Sequence, residues 1–318
     1  MAISMIDYAP QRRLRQRPPA RKRFLVLIFI FFLIWGIYGS VRTLFFRDRD
    51  ISEISLSQKS RSVTQGNSLA NVIEKVLPVK NAEYGIVVKN LKTDETYLRN
   101  EHQKFDSASL YKLWVMGSVF EQINAGKLSE EQKLEEEVSV LNEKFHIASE
   151  SAELTEGTVE FTVGDALEKM ITISDNYAAL LLTAKIRLST VASYLDTHGL
   201  RESRVSRGDE NPVTTASDIS LFYEKLYRNQ LAEIEYTEKM LALLRGQRLN
   251  EKLPKDLPED VVIAHKTGEL GTISHDAGIV YSPQGDYIIV VLSDTKEPLE
   301  ANAKISVLSR AVYDFFSK

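Results

Sequence analysis

An α+β fold is the class this 318-residue sequence predicts: one antiparallel β-sheet flanked by helices in a three-layer arrangement, with a mostly helical subdomain. Three observations carry the prediction. Short strand-like segments cluster near both ends of the region beyond residue 68. Helical periodicity fills the middle, and the turns between neighbouring strands are only a few residues long.

The first element is the helix in "SLANVIEKVLP", where Leu69, Val72, Ile73, Val76 and Leu77 share one face and Pro78 marks the stop. "EYGIVVKNLKTDETYLRN" then supplies two strands joined through Lys92, Thr93 and Asp94 as a hairpin. "FDSASLYKLWVM", Phe105 to Met116, opens an apolar helix, and Tyr111, Leu113 and Trp114 are expected in its core or cleft wall. "LSEEQKLEEEV", Leu128 to Val138, reads as a charged, solvated connection. In "FTVGDALEKMITISDNYAALLLTAKI" two helices meet near Ser174. Thr162 with Asp165 caps the first, and Ala166, Leu167, Met170 and Ile171 face inward. Thr215 with Asp218 caps another helix, built on Ile219, Phe222, Tyr223 and Leu226. "VVIAHKTG", "HDAGIVYS" and "YIIVVLSD" are strands, the last two separated by Pro283, Gln284 and Gly285. A final helix from about Leu299 presents Ile305, Leu308, Val312, Phe315 and Phe316 on one side.

At 43% apolar and 26% charged residues, the composition is that of a globular protein and excludes disorder as its main theme. The formal charge of −4 conceals an asymmetry, because Arg12, Arg13, Arg15, Arg17, Arg21, Lys22 and Arg23 crowd the start against one acid, Asp7. No basic face is visible on the rest, so no nucleic-acid partner is expected. The absence of cysteine removes disulfides, thiolate metal sites and a cysteine nucleophile. The uncharged run "FLVLIFIFFLIWGIYGSV", Phe24 to Val41, reaches roughly 27 Å at about 1.5 Å per residue, enough to span a bilayer. The expected organisation is a basic cytoplasmic tail at 1–23, a transmembrane anchor at 24–41, a linker at 42–67 and an extracytoplasmic folded domain at 68–318. Retention as an anchor is favoured over signal-peptide cleavage, since the apolar run is long and has no clear small-x-small cleavage site.

The chemistry lies in three short motifs. Ser109 and Lys112 stand three apart at a helix start, which puts both side chains on one face. A lysine with an ordinary pKa near 10.4 is a poor base, so Lys112 needs desolvation or neighbouring cations to accept a serine proton. "ISDNYA" supplies Ser174, Asp175 and Asn176 at a helix junction, and "HKTGELG" supplies Lys266, Thr267 and Gly268 on a strand. Asp175 and the pair His275 and Asp276 read as structural. His265 and His275 have no metal-ligand spacing, and no metal or cofactor is expected. A G-x-S-x-G elbow is absent from the sequence.

Ser-x-x-Lys, Ser-Asp-Asn and Lys-Thr-Gly in this order resemble the signature of class A β-lactamases and penicillin-binding proteins, and the resemblance covers about Ser68 to Lys318. It implies that Ser109 is acylated, that Lys112 takes or relays its proton, and that Ser174 passes a proton to the departing amine. It implies that Asn176 holds the substrate amide side chain and helps fix Lys112, while Lys266 and Thr267 hold a substrate carboxylate. Gly268 would allow close approach of the strand. The oxyanion hole would be the backbone N–H groups of Ser109 and Glu269. Glu269 departs from the small residue usual there, and an acid at that point is expected to weaken or redirect substrate binding.

A second departure concerns deacylation. Class A enzymes carry a loop of the form Arg-aromatic-Glu-x-x-Leu-Asn, whereas this chain has "SRVSRGDENPVTTASD", with Arg207 to match the arginine, Gly208 in place of the aromatic, Asp209 or Glu210 to stand for the acid, and no Leu-Asn after it. Two functions follow: hydrolysis of β-lactams through a Ser109 acyl-enzyme, the leading reading, or a penicillin-binding, D-alanyl-D-alanine peptidase-like activity on peptidoglycan stem peptides with slow deacylation. A domain that only senses β-lactams by acylation is disfavoured, because the basic tail offers no output domain. A monomer is expected.

Overall fold

The computed structural model describes residues 68–77, 83–206, 208 and 210–318. The basic tail, the apolar run, the linker, Pro78, Arg207 and Asp209 lie outside the described residues. Among the described residues no single helix is long and apolar enough to cross a membrane.

The central sheet is built from β1 (Glu83–Asn90), β2 (Thr96–Arg99), β7 (Ile263–Leu270), β8 (Ile273–Val280) and β9 (Tyr287–Asp294), in the order β2-β1-β9-β8-β7. Every neighbouring pair is antiparallel. The chain therefore lays down one edge first, leaves for the helical region, and returns to complete the sheet, as the strand distribution predicts.

Both faces of the sheet are covered, because successive side chains of a strand point to opposite sides. On β9, Tyr287, Ile289 and Val291 join a core with α1 (Leu69–Val76) and α9 (Pro298–Phe316), while Ile288, Val290 and Leu292 join the larger core of the helical region. The result is the expected three-layer α+β arrangement. α1 starts at Ser68, whose hydroxyl accepts the Asn71 N–H. α9 carries Pro298 in its first turn, where the missing N–H is no loss.

The middle of the chain supplies α2 (Tyr111–Asn124), α3 (Val138–Lys144), α4 (Val163–Thr172), α5 (Asn176–Ile186), α6 (Leu188–Thr197), α7 (Ala216–Tyr227) and α8 (Ile234–Arg245). α2 buries every residue from Lys112 to Phe120, which makes it a central helix wrapped by others. Thr162 and Thr215 cap α4 and α7 as expected, accepting from the Asp165 and Asp218 N–H groups.

The charged connection is a correction. Lys133–Glu137 form β4, which pairs antiparallel with β5 (Thr158–Thr162). Leu134 points inward between exposed Lys133 and Glu135. A single apolar residue among charges is too little for sequence periodicity to register, and cross-strand pairing supplies the rest. β3 (Phe105–Asp106) and β6 (Val213–Thr214) form a further pair, each only two residues long.

Gly278 is fixed by packing. It lies opposite His265 in the β7–β8 register, and a Cβ there would sit 2.5 Å from the Ala264 carbonyl oxygen and 2.6 Å from His265 Cβ. Backbone cannot yield as a flexible side chain can. Gly278→Ala is therefore expected to destabilise the protein by about 1–3 kcal/mol, as overpacked cores do, read as a lower urea midpoint at unchanged slope.

Candidate active site

Ser109 is placed by the segment in front of α2. β3 leads into a 3₁₀ turn, Ala108–Leu110, and α2 begins at Tyr111, so the serine sits in the turn that enters the helix. Asp106 is clamped from the sheet by His275, whose Nδ1 accepts the Ser293 N–H at 3.0 Å and whose Nε2–H donates to the Asp106 carbonyl at 2.9 Å. Burial holds the pKa of this imidazole down to about 4, so it stays neutral and keeps that tautomer. Ser107 N–H bonds the Pro212 carbonyl at 2.7 Å, and Leu110 is buried. Between them Ala108 adopts φ 43°, a left-handed conformation that costs a residue with a Cβ about 1–3 kcal/mol. The surrounding contacts hold that strain at the residue preceding Ser109.

The β7 strand presses against this turn. A Cβ on Gly268 would lie 3.3 Å from each of Ser109 N, the Ser107 carbonyl oxygen and Ala108 Cβ, a spacing that only glycine meets without displacement. This close approach puts the Ser109 N–H beside the strand that carries Glu269. The two backbone groups expected to hold an oxyanion therefore come from neighbouring segments.

Behind the serine, Lys112 is fully buried on α2. Its Nζ donates to the Ser174 carbonyl at 2.6 Å, to Asn176 Oδ1 at 2.7 Å and to Ser174 Oγ at 3.2 Å. Burial is the main force on its proton and lowers the pKa to about 8, with Asp175 and Glu153 opposing. Ser174 itself has φ 60°, at the junction of α4 and α5. Asp175 is the N-cap of α5 and accepts the Ala178 N–H at 2.8 Å, so its carboxylate is structural. The cap fixes where Ser174 and Asn176 point.

From β7, Lys266 reaches the same hydroxyl. Its Nζ lies 3.0 Å from Ser174 Oγ and 2.8 Å from the Thr267 carbonyl. Burial, then the positive charge of Lys112, pushes its pKa well below the ordinary lysine value. Asp276, buried on β8, counters this. Its carboxylate accepts from His265 Nδ1 at 2.9 Å and from the Leu253 N–H at 3.0 Å. One serine hydroxyl thus stands between two desolvated amines brought in by a helix and a strand far apart in sequence. The arrangement suits proton movement: a hydroxyl that accepts from one amine can donate its own proton elsewhere, and a lysine held near pKa 8 exchanges protons near neutral pH.

Of the two candidate deacylation acids, the described one, Glu210, is not brought into this cluster. Asp209 lies outside the described residues. Glu210 pairs with Arg204 Nη2 at 2.8 Å with about two thirds of its side chain exposed. Its loop is pinned from another direction, Asn211 Nδ2 donating to Asp106 Oδ2 at 2.9 Å. Glu269 has a cationic partner. Its carboxylate is 2.8 Å from Lys252 Nζ, a buried amine that also donates to the His275 carbonyl at 3.1 Å. The unusual acid is therefore paired with a neighbouring cation.

Two residues of the site escaped sequence reasoning. Lys252 comes from the irregular stretch between α8 and β7, where no periodicity marks it. Glu153 comes from the segment between α3 and β5 and accepts from Asn176 Nδ2 at 2.5 Å. Nothing in "SESAELTEG" separates it from Glu150 or Glu156.

The model of the beta-lactamase enzyme family matches residues 68–316. Beta-lactamase VEB-1 of Pseudomonas aeruginosa is 25% identical over 278 residues, covering 80% of this chain and 92% of the relative. The extended-spectrum beta-lactamase PER-1 of the same organism is 25% identical over 275 residues, covering 79% and 88%. Among solved structures, a beta-lactamase from Sphaerobacter thermophilus superposes with a TM-score of 0.69 at 23% identity, covering 78% of this chain and 96% of its own. PBP-A superposes with the same TM-score at 22% identity, covering 78% and 95%. The two structures share the fold, and the family match spans nearly all of the described residues: the chain belongs to the beta-lactamase enzyme family.

Proposed function

We propose that this protein opens the amide of β-lactams by nucleophilic attack of Ser109 and then releases the acyl product to water. The observation that carries the proposal is the shared Ser174 hydroxyl, 3.2 Å from Lys112 and 3.0 Å from Lys266, with Lys112 three residues beyond Ser109 and Gly268, two residues beyond Lys266, packed against the Ser109 backbone. Neutral Lys112 removes the Ser109 proton as Oγ attacks the carbonyl carbon, and the backbone N–H groups of Ser109 and Glu269 receive the oxyanion. Ser174 gives its proton to the departing nitrogen when the tetrahedral intermediate collapses, and regains one from Lys112. Lys266 and Thr267 hold the substrate carboxylate, and Asn176 the acyl-amide side chain. Water then hydrolyses the ester on Ser109 and frees the acid.

The same reading places the domain outside the cytoplasm, tethered as a monomer by Phe24–Val41 with the basic tail inside. A second reading, long-lived acylation by penicillins in an enzyme acting on stem peptides, is favoured by one observation. Glu210, the described candidate for activating water, is engaged with Arg204. Intact mass followed over time after penicillin addition to the full chain separates the two: transient or no adduct with product formation for hydrolysis, a persistent adduct without product for the alternative.

Ser109→Ala is expected to abolish the covalent adduct and lower turnover of a chromogenic cephalosporin by at least about a thousandfold, since the nucleophile is gone. Full activity in that variant would exclude Ser109. The lowered pKa of Lys112 sets a pH profile. Its amine becomes neutral as pH rises through about 8, so the acylation rate should climb about tenfold per pH unit below that point and level above it. Stopped-flow acylation between pH 6 and 9 checks this, and a flat profile contradicts the role given to Lys112.

A further inference from the structure

Asn176 divides its amide between two charged neighbours. Oδ1 accepts from buried Lys112 at 2.7 Å, while Nδ2 donates to the Glu153 carboxylate at 2.5 Å. These are opposite in kind. The Lys112 contact is sealed within the protein, and the Glu153 contact faces solvent, since Glu153 is exposed on the segment between α3 and β5. That segment is held firmly just beyond the acid, where Tyr177 Oη accepts the Leu154 N–H at 3.1 Å and donates to Asn142 Oδ1 at 2.9 Å. The backbone next to Glu153 is thus tied to α5 at Tyr177, while the Glu153 carboxylate is exposed to solvent.

In the reaction proposed above, Asn176 Nδ2 is the group that meets the carbonyl oxygen of the substrate's acyl-amide. A carboxylate already bound there is an internal competitor for the same donor. When it is displaced it remains within a side chain's length of the substrate's acyl group, and it brings a full negative charge to that position. A charge so placed discriminates among substrates by the sign of what they carry.

We propose that Glu153 is a specificity-determining residue: it caps the Asn176 amide, yields it to the substrate's amide carbonyl, and then favours acyl side chains bearing an ammonium group over those bearing a carboxylate. This rests on the β-lactam reading of the site. A caged cation is not required, because an exposed carboxylate and ammonium attract modestly through water, enough for a few-fold preference per contact.

The test uses the full chain and three penicillins that share a nucleus and a phenylacetyl group but differ at the α-carbon: benzylpenicillin with hydrogen, ampicillin with an ammonium, carbenicillin with a carboxylate. The wild-type protein should rank them ampicillin, benzylpenicillin, carbenicillin in kcat/KM or acylation rate. Glu153→Gln keeps an acceptor for Asn176 and removes the charge, and it should compress the ampicillin-to-carbenicillin ratio by about tenfold, the gain and the loss of one exposed charge contact together. Glu153→Ala should compress the ratio equally and lower KM for benzylpenicillin, because the competitor for Nδ2 is absent. Parallel changes for all three substrates would show a merely structural role and overturn the proposal. Should either variant fail to fold, the wild-type ranking decides, and carbenicillin equal to or better than ampicillin overturns it. A wild-type chain acylated by none of the three overturns the β-lactam reading itself, which separates that failure from one confined to Glu153.

Discussion

The structure depends on keeping two lysine side chains out of water around one hydroxyl. An ammonium is strongly hydrated, and its transfer to the interior disfavours the charged form unless acceptors are waiting. Lys112 meets three acceptors, all from Ser174 and Asn176. Lys266 meets two and is further balanced by Asp276 one strand away. The left-handed Ser174, the N-cap at Asp175 and the buried His265–Asp276 pair all serve this arrangement. Its chemical consequence is a lysine whose proton is mobile near neutral pH, which an exposed lysine does not offer.

The fold explains how such a cluster is assembled. The central helix α2 brings Lys112, the α4–α5 junction brings Ser174 and Asn176, and the edge strand β7 brings Lys266 and Gly268. Because β7 ends the sheet order, one side of it is free to lie against the turn of Ser109, and the absence of a side chain on Gly268 lets it approach. Strain at Ala108 and Ser174 sits at two of the three points where these segments converge. Ala108 is held between buried Ser107 and Leu110, and Ser174 by its hydrogen bonds to Lys112 and Lys266, which is how a folded protein keeps an unfavourable backbone conformation.

Much of this was legible in the sequence because the chemistry demands particular residue types at short spacings. Ser109 with Lys112, Ser174 with Asn176, and Lys266 with Gly268 each form a motif only a few residues long, and it is the three motifs in their order, through the family signature they resemble, that made them legible. The long apolar strands β7 to β9 and the amphipathic α1 and α9 declared themselves by their hydrophobic pattern. What stayed hidden depends on contacts between distant or irregular segments. β4 has one inward residue among charges and exists as a strand only because β5 pairs with it. Lys252 is an ordinary loop lysine until the fold buries it beside Glu269. Glu153 is one acid among several until its segment turns it onto Asn176. The abridged loop at Asp209 and Glu210 offered two acids, and the described one is occupied by Arg204.

The central claim is that burial leaves Lys112 as a base rather than a fixed cation. Its protonation can be observed directly by NMR titration of the ¹³Cε and ¹⁵Nζ resonances in protein labelled at lysine, assigned by comparison with a Lys112→Arg variant. A midpoint near 8 is predicted. A midpoint above 10, as for a lysine in water, would contradict the account.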